Sequence, residues 1–123
     1  MFGDLAFDKE TRKFADPQQK LQEILAEIKW ADELGIDVFA LGEHHRPDYV
    51  VSSPEMVLSA AASITKNIKL MSAVTVLSSA EPVKVYQDFS TLDLISGFSP
   101  FFNLEINSEH FLPYINSFAS QNL

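Results

Sequence analysis

Residues 36–45 read IDVFALGEHH, and the fold of the chain turns on what this stretch becomes. From Ile36 to Leu41 the run is apolar apart from Asp37, the pattern of a short strand buried on both faces. It ends at Gly42 and is followed by three adjacent side chains able to exchange protons, Glu43, His44 and His45. In an open or barrel-shaped α/β sheet, reactive groups stand just past the carboxyl ends of the strands. Residues 42–45 are therefore the expected floor of a site.

Upstream of this strand, Asp16 and Pro17 carry helix-start chemistry, a side-chain acceptor for free backbone amides followed by a residue preset for the first helical position. Leu21, Ile24, Leu25, Ile28, Ala31 and Leu34 follow at helical spacing and Gly35 stops the run, which predicts a helix over 17–34 with one buried stripe. Before it, Phe2, Leu5 and Phe7 alternate, room for a short strand, and residues 8–13 form a charged loop. Downstream, Pro47 forbids regular pairing in the polar turn 43–52. Ser53-Pro54-Glu55 repeats the helix start, and the helix is expected to run to Lys66 through Ala60, Ala61 and Ala62. Ile68 to Leu77 reads as a second buried strand, about 31 residues after the first, which is the βαβ period. Pro82 opens a third helix, with Val83, Tyr86, Phe89, Leu92 and Ile95 as its stripe and Gly97 as its stop. Strand, helix, strand, helix with short turns argues for a parallel sheet with right-handed crossovers.

The chain has 123 residues, enough for one modest domain. A net charge of −8 and a pI near 4.7 argue against a nucleic-acid partner, which would need clustered Lys and Arg. There is no cysteine, hence no disulfide framework and no thiolate chemistry. The amino terminus lacks the basic and apolar regions of a signal peptide, and no apolar run approaches the roughly 20 residues of a membrane span. The expectation is a soluble, cytoplasmic protein without a membrane partner.

After Gly97 the composition changes. Five of the ten Phe and four of the five Asn lie in 98–123, and the last Lys or Arg is Lys84. The expected organisation is an α/β unit over 1–97 and a divergent tail over 98–123, with room for a short strand at 101–106 and a helical turn at 114–118.

WADELGIDVFALGEHH, SPEMVLSAAASITKNIKLMSAVTVL and AEPVKVYQDFSTLDLIS stand together in one order and spacing. In this the chain resembles the amino-terminal part of the bacterial luciferase-like flavin-dependent monooxygenases, from about Phe2 to Gly97. The resemblance implies a partial (β/α)8 TIM barrel, about the first three βα units, with the first strand mostly missing. A whole barrel of this kind typically needs about 250 residues. In that frame the tail is either an out-of-frame read of an AT-rich gene or a genuine divergent ending.

The resemblance also implies the roles. His44 matches the family histidine at the flavin site, acting as base or hydrogen-bond partner. Adjacent residues of an extended chain point to opposite faces, so His45 takes a different job and is a positioning candidate. Glu43 orients an imidazole or pairs with Arg46. Ser72, Ala73 and Val74 are where the family backbone passes under the flavin ring, often through a cis peptide; Ala73 is small enough to let a planar ring approach. A non-proline cis bond costs about 3 kcal/mol and needs a complete surround, so it is not expected to persist in a half barrel. The reading from the residues alone is plainer: a polar turn at 43–45 and an ordinary core strand at 72–74. Adjacent histidines do not share a face, and the other imidazole, His110, lies in the tail, so no metal site is expected. Trp30, Phe39 and Tyr86 are expected to pack.

Three functions stay open. The first is a monooxygenase using reduced FMN, delivered by a partner flavin reductase, to oxygenate an organic substrate. The second is a non-catalytic remnant or homo-oligomerising piece whose uncovered sheet edges and apolar faces promote association, with Ala60 to Ala62, Tyr86 and Phe89 suited to helix contacts between copies. The third is a deazaflavin-dependent oxidoreductase. Because the family's phosphate-binding groups mostly belong to later loops, this chain is expected to bind flavin weakly and to lack turnover.

Overall fold

In a computed structural model the chain is described at Met1 and at residues 3–97; the expectations for the tail lie outside the described residues. A two-strand antiparallel hairpin, β1 (Phe7–Asp8) and β2 (Lys13–Phe14), precedes helix α1 (Pro17–Glu33). Strand β3 (Val38–Leu41), helix α2 (Pro54–Ala62), strand β4 (Lys69–Ser72) and helix α3 (Pro82–Ser96) follow. β3 and β4 pair in parallel, Val38 with Lys69 through Leu41 with Ser72, around the α2 crossover.

Helix starts follow the sequence chemistry. Asp16 accepts hydrogen bonds from the amides of Gln18 and Gln19, and Pro17, Pro54 and Pro82 each open a helix. Ser53 departs from expectation, because its side chain makes no capping bond. α3 ends on Gly97 in the left-handed conformation, where a side chain would be strained.

The core lies on one face of the β3–β4 pair. Ile24 and Ile28 from α1, Leu58 and Ala61 from α2, and Val85, Phe89 and Leu92 from α3 pack with Leu41, Leu70 and Val51. Among the described residues no helix covers the opposite face, which corrects the reading of a strand buried on both sides. Val38 is 41% exposed, and Leu41 is the only fully buried member of β3. Two paired strands with helices on one side leave the other side uncovered. Trp30 and Leu34, expected to pack, are 64% and 81% exposed, since α1 turns Ile24 and Ile28, and not these two, to the core.

Met1 lies along the free edge of β3, its amino group donating to the Ala40 carbonyl at 2.8 Å and its carbonyl accepting from the Gly42 amide at 2.8 Å. That is the bonding pattern of a parallel neighbour. Residues 3–5 then bond to the turn after β3, Val50 N to Gly3 O at 2.9 Å and Leu5 N to Asp48 O at 2.8 Å. Gly3 is required here: it has φ +66, and a Cβ would meet Val51 Cγ2 at 2.8 Å.

Two elements end sooner than their apolar patterns imply. α2 stops at Ala62, where the Ser63 and Thr65 hydroxyls donate to the Ala60 and Ala61 carbonyls. Beyond it the Asp32 carboxylate, at the end of α1, accepts from the amides of Lys66, Asn67 and Ile68 at 2.7–2.8 Å. β4 stops at Ser72, and the Ala73–Val74 peptide bond just beyond it is cis. The cis bond is thus present, against expectation, in a segment held on both sides by the Ala73 amide to the Leu41 carbonyl and by a Ser72–Thr75 hydroxyl pair.

Asp32 gives a testable consequence. Burial works to raise its pKa, but the amides of Asn67, Ile68 and Lys66 outweigh it and hold the carboxyl below the ordinary carboxylate value. A folded-state pKa below the unfolded one contributes stability above the unfolded pKa, and that contribution is lost as pH falls through the folded value. Asp32→Ala is expected to cost about 1–2 kcal/mol in urea melts at neutral pH, as for a lost helix cap. The gap from wild type should shrink in acid, below the folded value. Equal midpoints at pH 7 would refute the role.

Candidate functional site

The carboxyl ends of β3 and β4 lie side by side, and these ends with the turns leaving them carry every candidate residue. Glu43 joins the two. Its side chain is 6% exposed; Oε1 lies 2.6 Å from His45 Nε2, and Oε2 accepts from the Val76 amide at 2.8 Å. One buried carboxylate thus bonds the turn after β3 to the turn after β4. Of the two pairings open to it from sequence, Glu43 takes the imidazole; Arg46 instead makes a two-pronged pair with Asp48, Nε to Oδ1 at 2.9 Å and Nη2 to Oδ2 at 2.8 Å. The guanidinium holds the Asp48 carboxyl below its ordinary range.

The two histidines have different surroundings, as adjacent positions predict. The His45 side chain is 49% exposed and its Nε2 also lies 3.2 Å from the Ser79 hydroxyl, which donates to the Val76 carbonyl. Since that hydroxyl proton goes to Val76, the arrangement is one in which His45 Nε2–H donates to Glu43 and Ser79. His44 is half-buried, with Nε2 inside. Its amide donates to the Val51 carbonyl at 2.9 Å, and its ring lies on the Tyr49 ring with centroids 4.2 Å apart and planes at 35°.

On the neighbouring strand end, Ser72 and Thr75 are buried and their hydroxyls are 2.8 Å apart, while Ala73 and Val74 are half-exposed. Ala73 presents only a methyl group at this half-exposed position, so a flat group meets less obstruction there than a larger side chain would give. Among the described residues no group of three or more His, Asp and Glu could hold a metal ion, and no helix is long and apolar enough to cross a membrane.

Tyr49, Thr75 and Ser79 escaped sequence reading. Tyr49 sits in a non-periodic turn, and Thr75 and Ser79 fall in or next to an apolar run that reads as strand. A polar residue inside such a run, as Thr75 is, was the one available signal, because a buried hydroxyl needs a partner.

A parallel βαβ unit with helices on one face is the repeating unit from which (β/α) barrels are built. The sequence profile of the luciferase-like monooxygenases matches residues 2–97, and the chain belongs to that family. It is 32% identical over 83 residues to the 4-hydroxyprotoasukamycin monooxygenase of Streptomyces nodosus subsp. asukaensis, covering 67% of this chain and 22% of that protein. It is 36% identical over 86 residues to the limonene 1,2-monooxygenase of Rhodococcus erythropolis, covering 69% and 22%. The chain thus spans about a fifth of the length of these curated relatives. In fold it is similar to the oxygenating constituent of 3,6-diketocamphane monooxygenase from Pseudomonas putida, solved in complex with FMN. There the TM-score is 0.70 and the identity 24%, over 82% of this chain and 28% of that one. It is also similar to the coenzyme F420 dependent tetrahydromethanopterin reductase of Methanopyrus kandleri, with a TM-score of 0.59 and 20% identity over 94% and 28%. The family and the partial barrel read from the sequence are therefore correct.

Proposed function

We propose that the strand-end face built from Glu43, His44, His45, Ser72, Ala73 and Val74 is one side of a reduced-flavin site in a monooxygenase. The observation that carries this reading is the Glu43 bridge, which brings the histidine turn and the small-residue turn to one place. FMN in the 3,6-diketocamphane relative and the family membership support it. When bound, reduced flavin supplies the electrons with which oxygen is activated. The chain's own residues do the rest: Ala73 and Val74 give the ring a flat seat, His44 holds or accepts a proton beside it, and Glu43 with His45 keeps the two turns in register.

The same proposal includes a separate reductase that delivers the reduced flavin. It also includes self-association through exposed apolar surface, and weak flavin binding without turnover by this chain alone, since two strands wall only one side of a barrel mouth. The open face of the β3–β4 pair favours a second reading, a non-catalytic associating piece. A deazaflavin in place of FMN is supported by fold likeness alone.

A titration of the purified chain with reduced FMN, followed by fluorescence alongside light scattering, tests the reading. Weak saturable binding that Ala73→Leu abolishes is expected; binding indifferent to Ala73→Leu, or none at any concentration, defeats it. A fluorescence change with a reduced deazaflavin and none with FMN selects the alternative cofactor. In preparations that turn over, His44→Ala should lower kcat by about 10²- to 10⁴-fold. An unchanged kcat removes His44 from the chemistry.

A further inference from the structure

The geometry points to Tyr49 as a positioning residue that sets the ring plane of His44. This inference rests on the flavin-site reading for its functional meaning and on the contacts around His44 for its geometry. The His44 backbone is held by the bond from its amide to the Val51 carbonyl, and the direction of the side chain depends on what packs against its ring. The last torsion of a histidine is broad and roughly two-fold, and a ring with no packed face turns within it. Tyr49 supplies that face. At 4.2 Å between centroids and 35° between planes, its ring covers the imidazole in a tilted stack and restricts the directions in which the ring nitrogens point.

Tyr49 is itself held from three sides. Its backbone bridges to Asp4 in the amino-terminal segment, and its amide donates to the Arg46 carbonyl at 3.1 Å. The Arg46 guanidinium lies 5.6 Å from the ring centroid, within the range of about 6 Å where a cation is attracted to an aromatic face. Asp48 fixes that guanidinium through two hydrogen bonds. A guanidinium, a phenol and an imidazole are thus coupled in sequence within one turn of eight residues, closed by the bond between His44 and Val51. The turn is braced by residues 3–5. The contact with the imidazole is made by the ring and the other bonds of Tyr49 by its backbone, so phenylalanine should replace tyrosine and an aliphatic residue should not.

The test uses the whole chain with labelled histidines and needs no cofactor. In wild type, His44 ring protons should show nuclear Overhauser contacts to the Tyr49 ring and an upfield ring-current shift. Tyr49→Leu should move the His44 signals toward free-imidazole positions while leaving His45 in place, and Tyr49→Phe should restore them. In preparations that turn over, Tyr49→Leu should lower kcat by about 10- to 100-fold with little change in KM, the signature of misplacement rather than lost binding. Tyr49→Phe should stay near wild type. Absence of the wild-type contacts overturns the inference, even if Tyr49→Leu fails to fold. So does a folded Tyr49→Leu variant with unmoved His44 signals, or equal loss of kcat in Phe and Leu variants. Failure of the flavin reading shows separately, as His44 signals that do not respond to reduced FMN in a chain whose Tyr49 contacts are intact.

Discussion

Leu58→Ala is expected to lower the unfolding free energy by about 3 kcal/mol, within the usual range for a buried leucine cut to alanine. Leu58 is fully buried at the centre of α2, the helix that packs on α1, α3 and β4 at once. The cavity left behind has walls from several elements, and those walls cannot collapse together without shifting the crossover itself. In a chain of this size the loss corresponds to about 10–20 °C in Tm. Met56 provides the control. It lies two residues away on the same helix but is 71% exposed, so Met56→Ala should stay within about 0.5 kcal/mol of wild type. Similar melts for both variants would mean that α2 does not organise the core.

Glu43→Ala should rank next, at about 2–3 kcal/mol, and for a different reason. Removing the carboxylate takes away the acceptor for the Val76 amide and the partner of His45 Nε2, and neither is replaced by a methyl group. A partly buried donor left without an acceptor costs more than the net value of the bond it made. Glu43→Gln keeps one carbonyl oxygen and should fall between the two. Hydrogen exchange separates local from global effects: Glu43→Ala should speed exchange at Val76 more than at residues of α1. Uniform acceleration would mean that Glu43 supports the whole fold rather than the junction of the two turns.

What was legible in the sequence depended on how local its cause was. Asp16-Pro17, Pro82 and Gly97 mark their helix ends through bonds spanning a few residues, and the structure has them where expected. The βαβ spacing and the strand at Val38–Leu41 were legible from apolar runs bounded by polar turns. Exposure was not legible. Trp30, Leu34 and Val38 carry core-like side chains, but periodicity says only which residues want cover, not whether a covering surface is present. The early end of β4 was hidden because Val74, Val76 and Leu77 continue the strand pattern after the backbone has turned. Asp32 and Glu43 were hidden in part for a third reason. Each acts on backbone amides more than thirty residues away, and no local pattern records such a partner. Of the site, the positions of Glu43, His44 and His45 at a strand end were readable, whereas the Tyr49 face against His44 was not.

The register of the parallel pair has a kinetic consequence. Val38 meets Lys69 and Leu41 meets Ser72, each partner 31 positions along the chain, so no strand hydrogen bond can form until that whole interval has been drawn in. Closing such a loop costs entropy before any pairing rewards it, and topologies rich in distant contacts fold slowly. α2 shortens the span by winding part of the interval into a rod, and the Asp32 carboxylate closes it by capturing the amides just ahead of β4. The rate-limiting barrier is therefore expected in closing this interval rather than in the hairpin, so Leu58→Ala should slow refolding and a Phe7→Ala change in the hairpin should not.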